Sequence, residues 1–78
     1  VAKAAVSQRY RTLLGRLRAA RLQAGLTQAQ AAAALRQHQS FVSKSESGER
    51  RIDPIELEDF ARLYKKKLSF FLPKKRHP

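Results

Sequence analysis

Residues Thr27 to Gly48, TQAQAAAALRQHQSFVSKSESG, hold two short helical segments separated by a tight turn, with no acidic residue before Glu46. Thr27 suits an N-cap, with Gln30 at the capping-box position three residues on. Gln28 to Leu35 is Ala-rich, which favours helix and lets neighbours approach closely. Arg36-Gln37-His38 is the predicted turn, with His38 as a helix-start residue; Gln39 to Ser47 is the next helix and Gly48 stops it. At about 100° per residue, Gln39, Ser40, Ser43, Lys44 and Ser47 share one arc of that helix, and Phe41, Val42 and Ser45 share the opposite one. An outward row of Gln, Ser and Lys suits base edges and phosphates. A solvated amphipathic helix shows the same pattern, so its surroundings must decide.

On the N-terminal side, Tyr10, Leu13, Leu14, Leu17, Ala20 and Ala24 recur in steps of three and four, which predicts an amphipathic helix over Arg9 to Ala24. Its polar side carries Arg9, Arg11, Arg16 and Arg18. Arg21 breaks the pattern: it lies four residues past Leu17 and continues the apolar stripe. A charge there needs a partner, because burying it alone is costly. Gly25 ends this helix, and residues 1–8 form an N-terminal arm without clear periodicity.

On the C-terminal side, Glu49-Arg50-Arg51-Ile52 reads as a loop with two exposed cations. Asp53-Pro54-Ile55-Glu56 then has Asp at the N-cap, Pro at the first helical position and Glu at the third. Leu57, Phe60, Ala61 and Tyr64, with Leu63 alongside, give that helix a buried stripe, and Lys65, Lys66 and Lys67 suit its C-terminal end. A last short helix, Leu68 to Leu72, is stopped by Pro73. The basic tail, 73–78, is expected to be disordered. Without a repeat or strand-like alternation, the class is all-α, with one domain over 9–72.

Charge is the most informative bulk property. The 78 residues contain 17 Lys and Arg against 6 Asp and Glu, a net of +11. Residues 1–45 hold eight cations and no acid, and all six acids lie in 46–59. Such a field favours a polyanion, nucleic acid first and an anionic membrane surface second. A domain this small has little room for a deep pocket. No Cys is present, so disulfide and thiolate chemistry are excluded. No apolar run approaches the roughly 18 residues of a membrane span, and the N-terminus lacks the apolar core of a signal peptide. Opening on Val1, the chain is expected to have been trimmed or excised from a longer one.

The run RLQAGLTQAQAAAALRQHQSFVSKSESGERRID, residues 21–53, resembles the helix-turn-helix domain of the lambda repressor and Cro family, also called the XRE family. The resemblance spans roughly residues 10–72. It is sharpest at Gly25-Leu26-Thr27-Gln28, at Val42-Ser43-Lys44 and at Glu46-Ser47-Gly48-Glu49-Arg50. It implies a compact bundle of about five short helices in which the second and third form the DNA-binding unit. It further implies that Gln39, Ser40 and Lys44 reach base edges, and that Gln28 and Arg50 approach phosphates. Thr27, Ser43 and Arg51 complete the backbone set. The family often pairs an Arg late in helix one with a Glu near the end of helix three, here Arg21 with Glu46. Four positions depart from the family's usual residues: Ala31 for Leu, Arg36 for Gly, Gln37 for an apolar residue and Ser45 for an aliphatic or aromatic one. Arg36 would then take up a left-handed conformation that glycine adopts freely, and Ala31, Gln37 and Ser45 would thin the core around the third helix.

Other chemistries find no support. The two histidines, His38 and His77, sit in a turn and a tail, and without Cys no metal-ligand spacing exists. Ser40, Ser43, Ser45 and Ser47 lack a base held by a nearby acid, and the three glycines form no phosphate loop. The expectation is a non-enzymatic, cofactor-free, cytoplasmic regulator of bacterial or phage type, associated with the nucleoid. It binds double-stranded DNA as a homodimer without membrane involvement. Repressor is the first reading and antitoxin-like autoregulator the alternative. The dimer contact is expected at the C-terminal helix, through exposed Phe70, Phe71 or Leu72. A rival of another class uses KKKLSFFLPKKR, Lys65 to Arg76, as a membrane-surface or protein-interaction module.

Overall fold

A computed structural model describes residues 7–72; of the arm expected at residues 1–8, Ser7 and Gln8 are described and open the first helix, while residues 1–6 and the tail expected at 73–78 lie outside the described residues. Five α-helices and no strand occur among the described residues: α1 (Gln8–Gln23), α2 (Gln28–Ala34), α3 (Gln39–Ser47), α4 (Pro54–Tyr64) and α5 (Leu68–Phe71). No helix of this set is long and apolar enough to cross a membrane.

Local chemistry sets most boundaries. The Ser7 hydroxyl accepts the Tyr10 N–H at 3.0 Å and so starts α1. Thr27 and Gln30 form a reciprocal capping box, the Thr27 side chain taking the Gln30 N–H at 3.0 Å and the Gln30 side chain taking the Thr27 N–H at 2.9 Å. Asp53 and Glu56 repeat the device at α4, with Pro54 as its first residue. Nδ1 of His38 accepts the Ser40 N–H at 3.2 Å and caps α3. At the other end of α3, Gly48 adopts φ 87°, and a Cβ there would meet Cδ1 of Leu14 at 3.0 Å.

Two other helix ends are closed by residues with side chains in the left-handed region. Arg36 and Lys65 both have φ 59°, at positions just past α2 and α4. Each lets the next N–H reach back five residues, Gln37 to the Ala32 carbonyl and Lys66 to the Ala61 carbonyl, both at 2.9 Å. Glycine takes this conformation without the Cβ clash. Lys65→Gly is therefore expected to stabilise the domain by about 0.5–1 kcal/mol, which urea unfolding would register as a raised midpoint.

Helix α1 is the central strut, packing on α3, α4 and α5, while α2 packs chiefly on α3. Leu13, Leu17 and Ala20 of α1 meet Ala31, Ala32, Val42, Leu57, Phe60, Ala61, Tyr64 and Phe71 in one core. Phe60 lies at its centre, stacked on Phe41 with ring centroids 5.7 Å apart and on Tyr64 at 5.9 Å. Burial raises the Tyr64 phenol to about 12.

The structure corrects several sequence expectations. Ala24 is exposed, because the chain turns away at Gly25 before the stripe reaches its last position. Helix α5 ends at Phe71, one residue early, since Leu72 is extended. Phe71 is fully buried and Phe70 half-buried; of the three residues expected at an exposed C-terminal contact, only Leu72 is exposed. The Phe70 carbonyl accepts from Nη1 of Arg16 at 3.1 Å, and Nζ of Lys66 lies 4.7 Å from the Phe70 ring centroid. Phe71 thus belongs to the core, while Leu68 and Leu72 are the exposed large apolar side chains of the rival membrane or interaction module among the described residues; its residues 73–76 lie outside them. Gln37 is exposed, so it takes no volume from the core, whereas Ala31 and Ser45 are fully buried.

Candidate nucleic-acid interface

Helix α3 has two unlike faces. Val42 and Ser45 are inaccessible to solvent, and the Ser45 hydroxyl is satisfied by donating to the Phe41 carbonyl at 2.7 Å. The buried serine thus keeps a satisfied hydrogen bond where the family usually has an apolar side chain. On the opposite arc Gln39, Lys44 and Ser47 are exposed, and Ser40 and Ser43 are half-buried. The serines are partly engaged within the helix. The Ser40 hydroxyl lies 3.1 Å from Nδ1 of His38, Ser43 donates to the Ser40 carbonyl at 3.4 Å, and Ser47 donates to the Lys44 carbonyl at 3.2 Å. Gln39 and Lys44 make no side-chain hydrogen bond among the described residues, so their donors and acceptors are available to a ligand.

Beneath α3, Glu46 gathers three donors from two other elements. Nε of Arg21 donates to Oε2 at 2.6 Å, Nη2 of Arg21 to Oε1 at 3.1 Å, and Nε2 of Gln28 to Oε1 at 3.1 Å. Nη1 of Arg21 donates to the Leu26 carbonyl at 3.0 Å. The two charged side chains are only 7% and 5% exposed. The hydrogen bond to Glu46 raises the Arg21 guanidinium above its ordinary value, against the opposing effect of burial. One carboxylate thereby ties α1, the start of α2 and the end of α3 together. Arg21 is the charge that interrupts the apolar stripe of α1, and this is where its charge goes.

The Gln28 side chain is consequently turned toward Glu46 and half-buried. Thr27, also expected on the DNA backbone, is exposed, and its oxygen caps α2.

The loop after α3 separates two cations that sequence alone treats as equivalent. Arg50 is turned inward: Nη1 and Nη2 donate to Oε1 and Oε2 of Glu56, both at 2.9 Å, in a fork-on-fork pair. Its guanidinium carbon lies 4.6 Å from the Phe41 ring centroid, and Nη1 lies 3.4 Å from the Ser45 hydroxyl. It braces the underside of α3 against the start of α4, which corrects its assignment as an exposed cation. Arg51 is exposed, without an acidic partner among the described residues, its guanidinium 4.5 Å from the Tyr10 ring centroid. The Tyr10 hydroxyl accepts the Ile52 N–H at 3.1 Å and anchors the loop that carries both arginines.

The ion pairs among the described residues are Arg21–Glu46 and Arg50–Glu56. The sequence offered a sign of the first in the misplaced Arg21. For the second it offered only Glu56, which already has a complete local role as the capping residue of α4.

Comparison with known proteins agrees with this architecture. A family model described as helix-turn-helix, HTH_3, matches residues 17–71. The solved structure of an XRE-family like protein from Pseudomonas syringae pv. tomato str. DC3000 is 49% identical and superposes with a TM-score of 0.75, over 78% of this chain and 74% of that one. No curated protein matches the chain.

Proposed function

The chain belongs to the HTH_3 helix-turn-helix family of DNA-binding regulators, and on that premise we propose that it is a sequence-specific repressor that inserts α3 into the major groove of double-stranded DNA. The observation that carries this reading is the split character of α3, with Gln39 and Lys44 unengaged on its exposed side and Val42 and Ser45 fully buried behind them. In this reading Gln39 and Lys44 contact base edges, with Ser40 beside them at the helix start. Thr27, Gln28, Ser43 and Arg51 lie along the phosphates. Gln28 also holds Glu46, and Arg50 positions α3 without touching DNA. The site of action is the cytoplasm, on the nucleoid of a bacterium or on phage DNA.

Arginines 50 and 51 provide the test. Arg51→Ala is expected to weaken binding to all sequences alike and to lower the salt slope by about one unit. Arg50→Ala is expected to leave the slope unchanged and to lower the melting temperature instead. The hydrogen bond from Arg50 holds the Glu56 carboxyl below its ordinary range. The stability this pair contributes is therefore present above the unfolded-state pKa and lost as pH falls through the lower folded-state value. Arg50→Ala should shift the acid unfolding limb to higher pH. Equal losses of salt slope for the two variants, measured by anisotropy across a salt series, would return Arg50 to the DNA surface.

One copy of α3 spans only a few base pairs, so specificity requires two. A homodimer on half-sites about 34 Å apart, one turn of the duplex, is expected. A footprint with a single unrepeated half-site, together with a monomer on DNA by sedimentation, would contradict it.

A further inference from the structure

Between the end of α2 and the outer face of α4 lies an open cleft of about 370 Å³, lined by Ala34, Leu35, Arg36, Asp59, Arg62 and Leu63. Its apolar side is Ala34, Leu35 and Leu63. Its charged side is two guanidiniums and one carboxylate, all exposed, and none of the three belongs to an ion pair among the described residues. Asp59, Arg62 and Leu63 occupy one face of α4, three and four residues apart, so they act on the same occupant. Arg36 carries its charge at a position with φ 59°, where a glycine would fit without a Cβ clash.

We propose that this cleft is a docking site for a peptide segment of a partner protein, one that sets a leucine-sized side chain against Leu35 and Leu63 and carboxylates against Arg36 and Arg62. The charge balance of the cleft selects an acidic occupant. Asp59 selects a peptide over a nucleic-acid backbone: a carboxylate only accepts hydrogen bonds, a peptide brings N–H donors, and a phosphodiester brings none. The apolar side adds the requirement for a hydrophobic residue beside the acids. None of its lining residues belongs to α3, and the proposal does not depend on what the exposed face of α3 binds.

The test uses the full chain and a fluorescein-labelled, end-blocked peptide of alternating Leu and Glu, with a second peptide in which Ser replaces every Leu. Anisotropy titration is expected to show binding of the first peptide, weakened at least about tenfold by Arg36→Gly, by Arg62→Gln or by loss of the leucines. Because glycine adopts the left-handed conformation freely, Arg36→Gly should melt at or above the parental temperature, which separates lost docking from lost folding. Amide shifts on peptide addition should centre on Leu35, Arg36, Arg62 and Leu63. Equal binding of the leucine-free peptide would reduce the effect to attraction by a chain of net charge +11 and overturn the proposal. So would unaltered binding by Arg36→Gly, shifts centred on α3, or no binding at millimolar peptide. A lowered salt slope of DNA binding in Arg36→Gly would assign the cleft to phosphate instead, and would equally overturn it.

Discussion

Glu46→Ala is expected to destabilise the domain by about 3–5 kcal/mol, the largest effect of any single polar substitution considered. The size follows from what is left behind. Arg21 is 7% exposed and loses both bonds to the carboxylate, keeping only the Leu26 carbonyl, while Gln28 loses its acceptor. An unpaired guanidinium in that position can neither reach water nor give up its proton. Because α1, α2 and α3 all meet at Glu46, the loss propagates to the placement of α3. DNA affinity should fall through the folded fraction and recover on cooling toward maximum stability, with site preference intact. A double-mutant cycle with Arg21→Ala, read by urea unfolding, should give a strongly non-additive pair, the double mutant losing much less stability than the two single losses added together. Additive melts would show that the two side chains act independently.

The two kinds of polar residue in this chain differ in how far local rules reach. Thr27 with Gln30, and Asp53 with Pro54 and Glu56, are recognisable because a cap involves residues three apart and its chemistry is complete within one turn. The same holds for Gly48 and for the arcs of α3, where helical periodicity alone separates Val42 and Ser45 from Gln39 and Lys44. Arg21 could be identified as a charge needing a partner, but Glu46 could be named only through the family resemblance, since nothing within a turn of Arg21 supplies an acid. Arg50 marks the limit. Its neighbour Arg51 has the same chemistry and the same local context, and what divides them is the position of Glu56 and Phe41 in space. The aromatic end behaves likewise: Phe70 and Phe71 are adjacent and alike in sequence, and only packing against α1 and the core buries one fully and the other partly. Lys65 closes α4 in a conformation that favours glycine, and no composition rule points to it.

The second large effect is a change in what is read, not in how tightly. Gln39 and Lys44 stand five residues apart on the exposed arc of α3, and neither is engaged by another side chain among the described residues. Gln matches the donor and acceptor pair of adenine and Lys the acceptors of guanine, each good contact discriminating by about 1–3 kcal/mol. Removing either should flatten preference at particular base pairs by about fivefold to a hundredfold while leaving the rest of the site as it was. Both residues are exposed and unbonded, so neither substitution should lower the melting temperature appreciably. That separates these variants from Glu46→Ala, which loses stability and keeps its preference.

The most direct measurement is selection from a random duplex library with the parental chain, Gln39→Ala and Lys44→Ala, followed by sequencing of the bound pools. The expected result is a two-fold repeated site for the parent. Each variant should lose preference at its own symmetric pair of positions, and the two sets of positions should differ. Identical preferences for all three chains at every position would mean that α3 does not read the DNA.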